Sequence, residues 1–484
     1  MKHYTKTVVY IFVALFLLAG ILLRLQNLSW LPIDAHPMRQ TDTESVAYFY
    51  AFKDANILHP QASLIRPVTN TDGYFFLEFP IYQYMISGLY RIFGWSLVAA
   101  RLFNLFLFLC SVYFLYIFSK TFFSKVFAVA GIFFFTFAPG SLFFIGHAIH
   151  PDVFAVTTFL LSLYLLSLWK TKKKDNKFII FSIIFLSISV ATRPFIVLLV
   201  PGILFLLYQN KPSSKLVYIG YCVSPVLYGI WKLWQMQFAH ADSSWENWVL
   251  DGRTLLLQPA ILKTLIMKNV VGEVIGKFIS MLAGFGLLLS LFLKKKRFIP
   301  LLLWIATLHL YWLIAPNGNI MHQYYANIYI VPFCLLAAVG AEWAWQLIKN
   351  RIVQIVLMIL IGCAVMYNGY RTSSYFFLSR VPEEHIRISK DIEACTPKNA
   401  KIIYLAVNNS IPTSLVHRQG WMLGYWPTDV DKSVAKIMTM KKYGATHIVS
   451  GVNNTDITEE QWSELKINAP QICATQNVRV LKFN

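Results

Sequence analysis

Apolar residues occur along this chain in long runs that short polar segments separate. A run of about 20 apolar residues can cross a bilayer as a helix, and roughly eleven runs approach that length. The predicted spans are 7–25, 96–118, 126–145, 153–169, 178–193, 195–208, 216–234, 275–293, 298–314, 326–347 and 352–370. Arg193-Pro194 is the only break between the fifth span and the sixth. The pattern predicts a polytopic α-helical membrane protein with about 11 transmembrane helices.

Two polar regions are too long to be simple turns, and they predict the domain organisation. Residues 1–370 form a predicted transmembrane domain whose first outside loop is 26–95. Residues 371–484 form a small predicted α/β domain of about 100 residues, within the normal size range. Its strand-like runs are 401–407, 447–450 and 478–483, and its helix-like runs are 385–394 and 430–443.

Two helices are predicted inside the loop 26–95. One begins where polar residues give way to apolar residues at helical spacing, so Asp42 or Thr43 can be its N-cap. The other, 75–84, is aromatic and too short to span, so it is predicted to lie on the membrane surface. Pro80 suits its first turn. A further outside region, 235–274, carries Trp residues that suit the headgroup level of the bilayer.

Basic residues orient the predicted spans. The chain is 57% hydrophobic and 14% charged, with a formal net charge of +20, and dense basic runs mark short cytoplasmic loops. These runs are Lys120 and Lys125; Lys170, Lys172, Lys173, Lys174 and Lys177; Lys211 and Lys215; Lys294 to Arg297; and Lys349 and Arg351. They predict a cytoplasmic N-terminus and an outside C-terminal domain. A bacterial inner membrane is the expected location, because the sequence shows no endoplasmic-reticulum retention signal. Attraction to anionic lipids accounts for the remaining charge, and no nucleic-acid-binding motif appears.

The six cysteines form no zinc or redox motif. Cys110, Cys222, Cys334 and Cys363 lie in predicted spans, where Cys is usually a small apolar residue. Cys395 and Cys473 both fall in the predicted outside domain, a compartment that permits disulfides. The sequence therefore leaves open whether Cys395 and Cys473 form a disulfide.

Polar residues that could carry chemistry collect at the outside ends of the predicted spans. They are Asp34, His36, Arg39 and Asp42 after the first span, Glu78 and Tyr82 in the surface helix, His150 and Asp152 before the fourth span, Arg193 after the fifth, and His322, Tyr324 and Tyr325 before the tenth. None lies mid-span. A polar reaction site at one membrane face is therefore predicted.

This layout resembles the polyprenyl-phosphate-dependent membrane glycosyltransferases of superfamily C. The similarity is greatest to the group of protein O-mannosyltransferases and lipid A aminoarabinose transferases. Its motifs are an early Asp after a signal-anchor helix, Phe79-Pro80-Ile81-Tyr82, His150-Pro151-Asp152, and His322-Gln323-Tyr324-Tyr325 followed by Pro332. Family members often carry Asp-Glu at the start of the first loop helix, where this chain has Arg39-Gln40. That departure leaves Asp34 or Asp42 as the catalytic acid.

The resemblance implies transfer of a sugar from a polyprenyl-phosphate donor to an acceptor hydroxyl outside the membrane. A carboxylate can remove the acceptor proton as a general base. Fixed Arg, His or Tyr donors can stabilise the departing phosphate, and Arg can do so with two parallel hydrogen bonds. The donor tail stays in the bilayer among membrane lipids, and the acceptor could be a lipid, a glycan or a protein.

Each residue has a functional and a structural interpretation. Asp34 is the preferred base, Asp42 is the alternative base or a cap, and Asp152 could orient the acceptor, contact a metal or cap its span. Arg39 and Arg193 could bind phosphate or pair with these acids. His322, Tyr324 and Tyr325 could contact the donor or anchor the chain at the interface.

The remaining candidates are less specific. His36 and His150 resemble metal ligands beside Asp34 and Asp152, but no spacing fixes a metal. No cofactor is certain, and a divalent metal stays open. Glu78 and Tyr82 could touch substrate or orient the surface helix.

Two other functions compete with transfer. A transporter or flippase for a lipid-linked sugar would place ionisable residues near the bilayer midplane and often shows inverted repeats, and neither is seen here. A structural membrane protein with an outside binding domain would explain 371–484 but not the clustered polar turns.

Overall fold

The computed structural model describes residues 2–65, 70, 72–172, 174–212, 214–238, 248–293, 295–405, 411–423, 433–451 and 459–484. The chain divides into two compact units. The helical unit consists of Met1–Leu28, Arg101–Lys232 and Ser243–Phe377. The mixed unit consists of Ser29–Ala100, Leu233–Asp242 and Leu378–Asn484. The first outside loop and the C-terminal region therefore belong to the same unit. Residues 239–247 of the predicted outside region 235–274 lie outside the described residues.

Most of the described chain is helical. The α-helices before residue 240 are Lys2–Arg24, Pro37–Phe52, Ile81–Phe93, Leu97–Phe122, Lys125–Phe137, Pro139–Phe143, Asp152–Thr171, Asn176–Thr192, Val200–Asn210, Leu216–Cys222 and Val226–Gln235. Those after it are Pro259–Lys263, Lys277–Phe292, Ile299–Ile314, Pro316–Met321, Ile330–Leu347, Arg351–Ser374, Glu383–Cys395, Ile411–Leu415, Ser433–Lys442 and Glu459–Asn468. Tighter 3₁₀ turns occupy Pro194–Leu199, Arg253–Leu257, Lys296–Phe298 and Gln323–Tyr329, and Thr264–Ile275 is a π-helix.

Six helical stretches of the described residues are long and apolar enough to cross a membrane, or seven if one pair bent by 113° counts as a single span. The six are Leu97–Phe122, Asp152–Thr171, Leu216–Gln235, Lys296–Ile314, Gln323–Leu347 and Arg351–Ser374. Shorter apolar helices cover five further predicted spans: Ile11–Arg24, Lys125–Phe137, Asn176–Thr192, Pro194–Asn210 and Lys277–Phe292. A helical protein with several membrane spans is confirmed, whereas the count of about 11 is not.

Prolines set two of the helix boundaries. The predicted break at Arg193-Pro194 is confirmed, because the helix Asn176–Thr192 ends there and a 3₁₀ turn follows. The predicted span 126–145 is wrong as one helix, since it divides at Ala138 into Lys125–Phe137 and Pro139–Phe143. The residue before a proline disfavours helical backbone angles, and Ala138 has ψ 128°.

A buried arginine fixes the outer end of the first helix within the helical unit. Arg24 donates hydrogen bonds to the Gly20 carbonyl, the Thr136 carbonyl and Ser141 Oγ. Its guanidinium carbon lies 3.5 Å from the centre of the Phe108 ring, a cation–π contact. A side chain at Gly146 would collide with Arg24. The turn that leads to His150 and Asp152 therefore needs glycine where it packs on this arginine.

The mixed unit contains a five-stranded sheet in the order β2-β1-β3-β5-β4. The strands are β1 (Lys401–Leu405), β2 (Gln419–Leu423), β3 (His447–Gly451), β4 (Gln471–Ala474) and β5 (Val478–Lys482). Strand β1 pairs in parallel with β2 and β3, while β5 runs antiparallel to β3 and β4. The three predicted strands are confirmed within the described residues; 406 and 407 lie outside them.

Alternating side chains of the sheet build two cores. Ile402 and Tyr404 face one side with Val449 and Val480, where the helix Glu383–Cys395 packs. Ile403, Leu405, Ile448 and Leu481 face the other side, against Trp421, Ile437 and Trp462. This period of two is the ordinary consequence of strand geometry. The sheet is covered on both faces, as the predicted α/β fold requires.

The first loop, residues 26–95, adds a segment to the edge of this sheet. Leu64 forms a parallel bridge with Gly420 of β2. The Gly420 amide donates to the Ser63 carbonyl at 2.8 Å, and the Ile65 amide donates to the Gly420 carbonyl at 2.7 Å. Elsewhere in the unit, Cys395 and Cys473 form a disulfide. The pairing that the sequence left open is therefore present.

Candidate functional site

The first loop helix begins earlier than the sequence predicts. It spans Pro37–Phe52, so the N-cap prediction at Asp42 or Thr43 is wrong and Asp42 lies in the second turn. Pro37 occupies the first helical position, where its fixed φ suits a helix and its missing N–H costs nothing. His36 precedes it in the left-handed region, with φ 56°. Asp34 therefore lies just outside a helix start.

Asp34 is fully buried. Gln40, in the first turns of the helix, donates to Asp34 Oδ1 at 2.5 Å and to the Ala35 carbonyl at 2.8 Å. The amide thus holds both the carboxylate and the backbone next to it. A hydrogen bond of this kind holds a buried carboxylate in one orientation.

Arg39 pairs with Glu78 within the same unit. Arg39 Nη2 lies 2.5 Å from Glu78 Oε1, and Gln83 donates to that oxygen at 2.9 Å. Both ionic side chains are nearly buried. Arg39 thus pairs with Glu78, an acid that the sequence did not suggest as its partner. We refer to Asp34, Arg39, Gln40, Glu78 and Gln83 as the first-loop cluster.

The surface helix near Glu78 differs from its predicted bounds. It spans Ile81–Phe93 rather than 75–84, and Pro80 precedes it instead of entering its first turn. Tyr82 is fully buried, while Ile92 and Phe93 are exposed. The helix is amphipathic, as a helix at a membrane surface should be, although Tyr82 turns toward the protein.

A second cluster surrounds Asp152 in the helical unit. Asp152 is the first residue of the helix Asp152–Thr171. The N-cap of that helix is Pro151, which makes no side-chain capping hydrogen bond, so Asp152 is not the cap. Arg193 Nε donates to Asp152 Oδ1, His150 Nδ1 lies 3.3 Å from Oδ2, and Asn327 Nδ2 donates to Oδ2 at 2.7 Å. His150 and Asn327 are buried. Three side chains from separate segments therefore converge on one carboxylate.

Aromatic rings border this Asp152 cluster. The ring centres of His150 and Tyr324 lie 4.7 Å apart, and the Arg193 guanidinium carbon lies 5.9 Å from the centre of the Tyr324 ring. His322 stacks on Tyr324 at 5.3 Å with an interplanar angle of 13°. Tyr324 and Tyr325 have ring centres 4.9 Å apart. The sequence-predicted turn 322–325 thus adjoins the Arg193 guanidinium.

The structure groups the predicted residues within units. Asp34, His36, Arg39, Asp42, Glu78 and Tyr82 belong to the mixed unit, and His150, Asp152, Arg193, His322, Tyr324 and Tyr325 belong to the helical unit. His36 and Asp42 are both partly exposed. Sequence reasoning missed Gln40, Gln83 and Asn327. Neutral amides give no charge pattern in a sequence, and only the spacing of Gln40 from Asp34 could have suggested its role.

A divalent metal stays a prediction. Among the described residues, no three or more His, Cys, Asp or Glu side chains form a group that could hold a metal ion. His150 and Asp152 are neighbours, but the same carboxylate also receives Arg193 and Asn327. We therefore derive no reaction step through a metal.

Comparisons with known proteins agree with this architecture. The profile of the dolichyl-phosphate-mannose-protein mannosyltransferase family matches residues 78–234. No curated protein sequence matches the chain significantly. The fold is similar to that of ArnT from Cupriavidus metallidurans, in the apo state (TM-score 0.63) and bound to undecaprenyl phosphate (TM-score 0.62). In both, identity is 12% and the match covers 97% of each chain.

A second solved fold is also similar. The oligosaccharyltransferase of Archaeoglobus fulgidus, tethered to an acceptor peptide with an NVT sequon, matches with TM-score 0.60 and 11% identity. The match covers 93% of this chain and 69% of that one. The resemblance to membrane glycosyltransferases of superfamily C is therefore confirmed, at the level of the fold and of one matched segment.

Proposed function

We propose that this chain is an integral membrane glycosyltransferase that moves a sugar from a polyprenyl-phosphate donor to an acceptor hydroxyl. The observation that carries the proposal is the buried Asp34 carboxylate, oriented by Gln40 just before the helix Pro37–Phe52. The ArnT-like fold supports it, because one of the matched ArnT structures is bound to undecaprenyl phosphate.

Asp34 acts as the general base in this proposal. Its carboxylate accepts the proton of the acceptor hydroxyl, while the hydroxyl oxygen bonds to the anomeric carbon of the sugar. The bond between that carbon and the phosphate oxygen breaks, and the phosphate leaves with the electron pair. A positioned base typically contributes about 10²–10⁴-fold to the rate. Gln40 supports this step by holding the carboxylate in one orientation.

Arg193 and Arg39 are the proposed phosphate ligands. Each already donates to a carboxylate, Asp152 or Glu78, which fixes the guanidinium plane. A guanidinium presents its N–H donors in a planar fork whose geometry matches a phosphate group. Fixed donors stabilise developing charge without reorganisation. His322, Tyr324 and Tyr325 would then contact the donor beside Arg193, and Asp152 and Glu78 would orient the two arginines.

The topology of the proposal follows the basic residues. About 11 spans, a cytoplasmic N-terminus and an outside mixed unit, in a bacterial inner membrane, agree with the one-sided Lys and Arg distribution. Alkaline phosphatase fused after Lys482 should be active in a bacterial host, and the same enzyme fused after Lys174 should be inactive. Activity at Lys174 alone would reverse the orientation.

A transfer assay tests the reaction itself. Membranes that contain the chain are given polyprenyl-phosphate sugars labelled in the sugar, one sugar at a time. Transfer predicts that label leaves the polyprenyl phosphate and appears in lipid, glycan or protein. A transporter would move label across the bilayer while it stays on the polyprenyl phosphate. That second outcome, for every sugar tried, would overturn the proposal.

A further inference from the structure

One face of the helix Pro37–Phe52 connects the Asp34 carboxylate to the C-terminal region of the mixed unit. Gln40, Glu44 and Tyr48 are spaced four residues apart, so their side chains lie in a row along the helix. Gln40 holds Asp34. Glu44 and Tyr48 both contact His417, which lies 373 residues after Glu44.

Glu44 is buried and has two partners outside its helix. Trp95 Nε1 donates to Glu44 Oε1 at 2.6 Å, and His417 Nε2 lies 2.8 Å from Glu44 Oε2. His417 is buried as well. Removing one partner of a buried carboxylate pair leaves an uncompensated group and is strongly destabilising. The pair therefore holds Glu44, and with it the second turn of the helix, in one place.

The His417 ring is held by two further rings. It stacks on Tyr48 with ring centres 3.7 Å apart and planes 8° from parallel. Trp95 meets it edge-on at 5.2 Å. Tyr48 lies one turn beyond Glu44, so His417 touches the helix at two successive turns. These contacts at two successive turns on one face restrict the rotation of the helix about its axis.

The backbone at His417 is unusual too. Its φ is 53°, in the left-handed region that few residues other than Gly, Asn and Asp adopt readily. Such a conformation is strained in a residue with a side chain and persists where the surroundings impose it. His417 ends the short turn between Ile411–Leu415 and β2. His417 adopts this strained backbone conformation where its ring contacts Glu44.

We infer that His417 is a positioning residue for Asp34: through Glu44 and Tyr48 it sets the rotation of the helix Pro37–Phe52, and so the placement of Gln40 against the Asp34 carboxylate. The geometric part stands on contacts alone, and only the role of Asp34 as a base rests on the proposed function. With side chains about 5–6 Å from a helix axis, a rotation of about 10° moves Gln40 by about 1 Å. A misplacement of that size can cost about 10²-fold in rate.

The test compares three substitutions of His417 in the full-length purified protein. His417→Leu removes the donor to Glu44. His417→Asn suits the left-handed backbone but is too short to reach Glu44, so it should fold even if His417→Leu does not. His417→Gln keeps an N–H donor at a similar distance and should restore most of the contact. His447→Leu is the matched control, because His447 is buried on β3 and its ring nitrogen Nδ1 lies 2.8 Å from Thr446 Oγ1.

The first readout does not depend on transferase activity. A water-soluble carbodiimide with an amine labels accessible carboxyl groups, and mass spectrometry measures the label at Asp34. Asp34 should be protected in the wild type and in His417→Gln, and labelled faster in His417→Leu and His417→Asn. Amide hydrogen exchange of 37–52 should rise in the same two variants. His447→Leu should lower stability without labelling Asp34.

The second readout is the rate of transfer. His417→Asn should lower kcat by about 10²-fold and leave KM for the polyprenyl-phosphate sugar unchanged. If Asp34 stays protected in both His417→Leu and His417→Asn, or if His447→Leu exposes it equally, the inference is wrong. If no sugar is transferred by any form, the proposed function fails while the labelling experiment still decides the positioning.

Discussion

Two buried aspartates, one in each unit, are held by different sets of side chains. The Gln40 amide donates to Asp34 Oδ1, whereas the Arg193 guanidinium and the Asn327 amide both donate to Asp152. Asp34 lies just before the helix Pro37–Phe52, and Asp152 is itself the first residue of the helix Asp152–Thr171. On this comparison we propose that Asp34 removes the acceptor proton and that Asp152 orients Arg193.

The largest expected effect is that of Asp34→Asn on transfer, and it tests the comparison of the two aspartates most directly. Asp34→Asn should lower transfer by about 10²–10⁴-fold, the usual loss of a general base, while binding of the proposed polyprenyl-phosphate donor stays near normal. Asp42→Asn is the matched control, since Asp42 lies in the second turn of the helix that follows Asp34 and is partly exposed. Turnover is measured per folded protein. Retained turnover in Asp34→Asn with loss in Asp42→Asn would transfer the role to Asp42.

The disulfide distinguishes the two units in stability. Cys395 and Cys473 close a loop with a sequence separation of 78 residues, for which chain entropy gives about 4 kcal/mol. Cys395→Ser with Cys473→Ser should therefore unfold the mixed unit at lower denaturant concentration. Cys110→Ser in the helical unit should leave unfolding unchanged. An equal effect of both changes, followed by tryptophan fluorescence, would contradict this difference between the units.

A substitution at Asn327 tests how Asp152 is held. Its amide donates to Asp152 Oδ2 at 2.7 Å and is buried. Asn327→Leu should remove that bond at a cost of about 1.5–3 kcal/mol, typical of a hydrogen bond to a charged group. Transfer should fall through a higher KM for the donor, because Asp152 then holds Arg193 less well. A fall in kcat with unchanged KM would instead place Asn327 with the reacting groups.

The smallest effect concerns pH and the mixed unit alone. Burial, and then the Lys482 charge, lower the pKa of His447 below its usual 6.5. Burial also lowers the pKa of His385. The unfolded chain therefore binds protons more readily than the folded unit, so stability is complete above about pH 6.5 and falls as pH drops below it. His447→Gln should flatten part of that fall in thermal unfolding measured from pH 7.5 to 5. An unchanged slope would show that His447 is not responsible.

The sequence predicted elements better than it predicted contacts. Strands β1, β3 and β5 are β-branched and apolar and were predicted, whereas β2 begins with Gln419-Gly420 and β4 is an exposed edge with an irregular register. The alternation of apolar and polar residues does not predict strands such as β2 and β4, because these strands form through pairing with segments far along the chain.

The candidate site residues were also easier to predict than their contacts. Asp34, Arg39, Asp152 and Arg193 stand out in a sequence as charges beside apolar spans. The partner of Arg39 proved to be Glu78, 39 residues away, and the acid at Arg193 is Asp152, 41 residues away. Such pairings depend on how helices pack and have no fixed spacing. The helix start at Pro37 was missed because Asp42 and Thr43 offered a stronger local cap signal than a left-handed His36.

The pairing of the first loop with the C-terminal region also sets an order of events during synthesis. Glu44 leaves the ribosome 373 residues before His417, which at ordinary rates of translation is a delay of about 20–75 s. Ser63 likewise waits for Gly420 before its carbonyl receives a partner. A nascent chain at the membrane therefore carries Asp34 long before the contacts of its supporting helix are complete. Completion of the first-loop contacts therefore requires that the chain has been synthesised at least as far as β2.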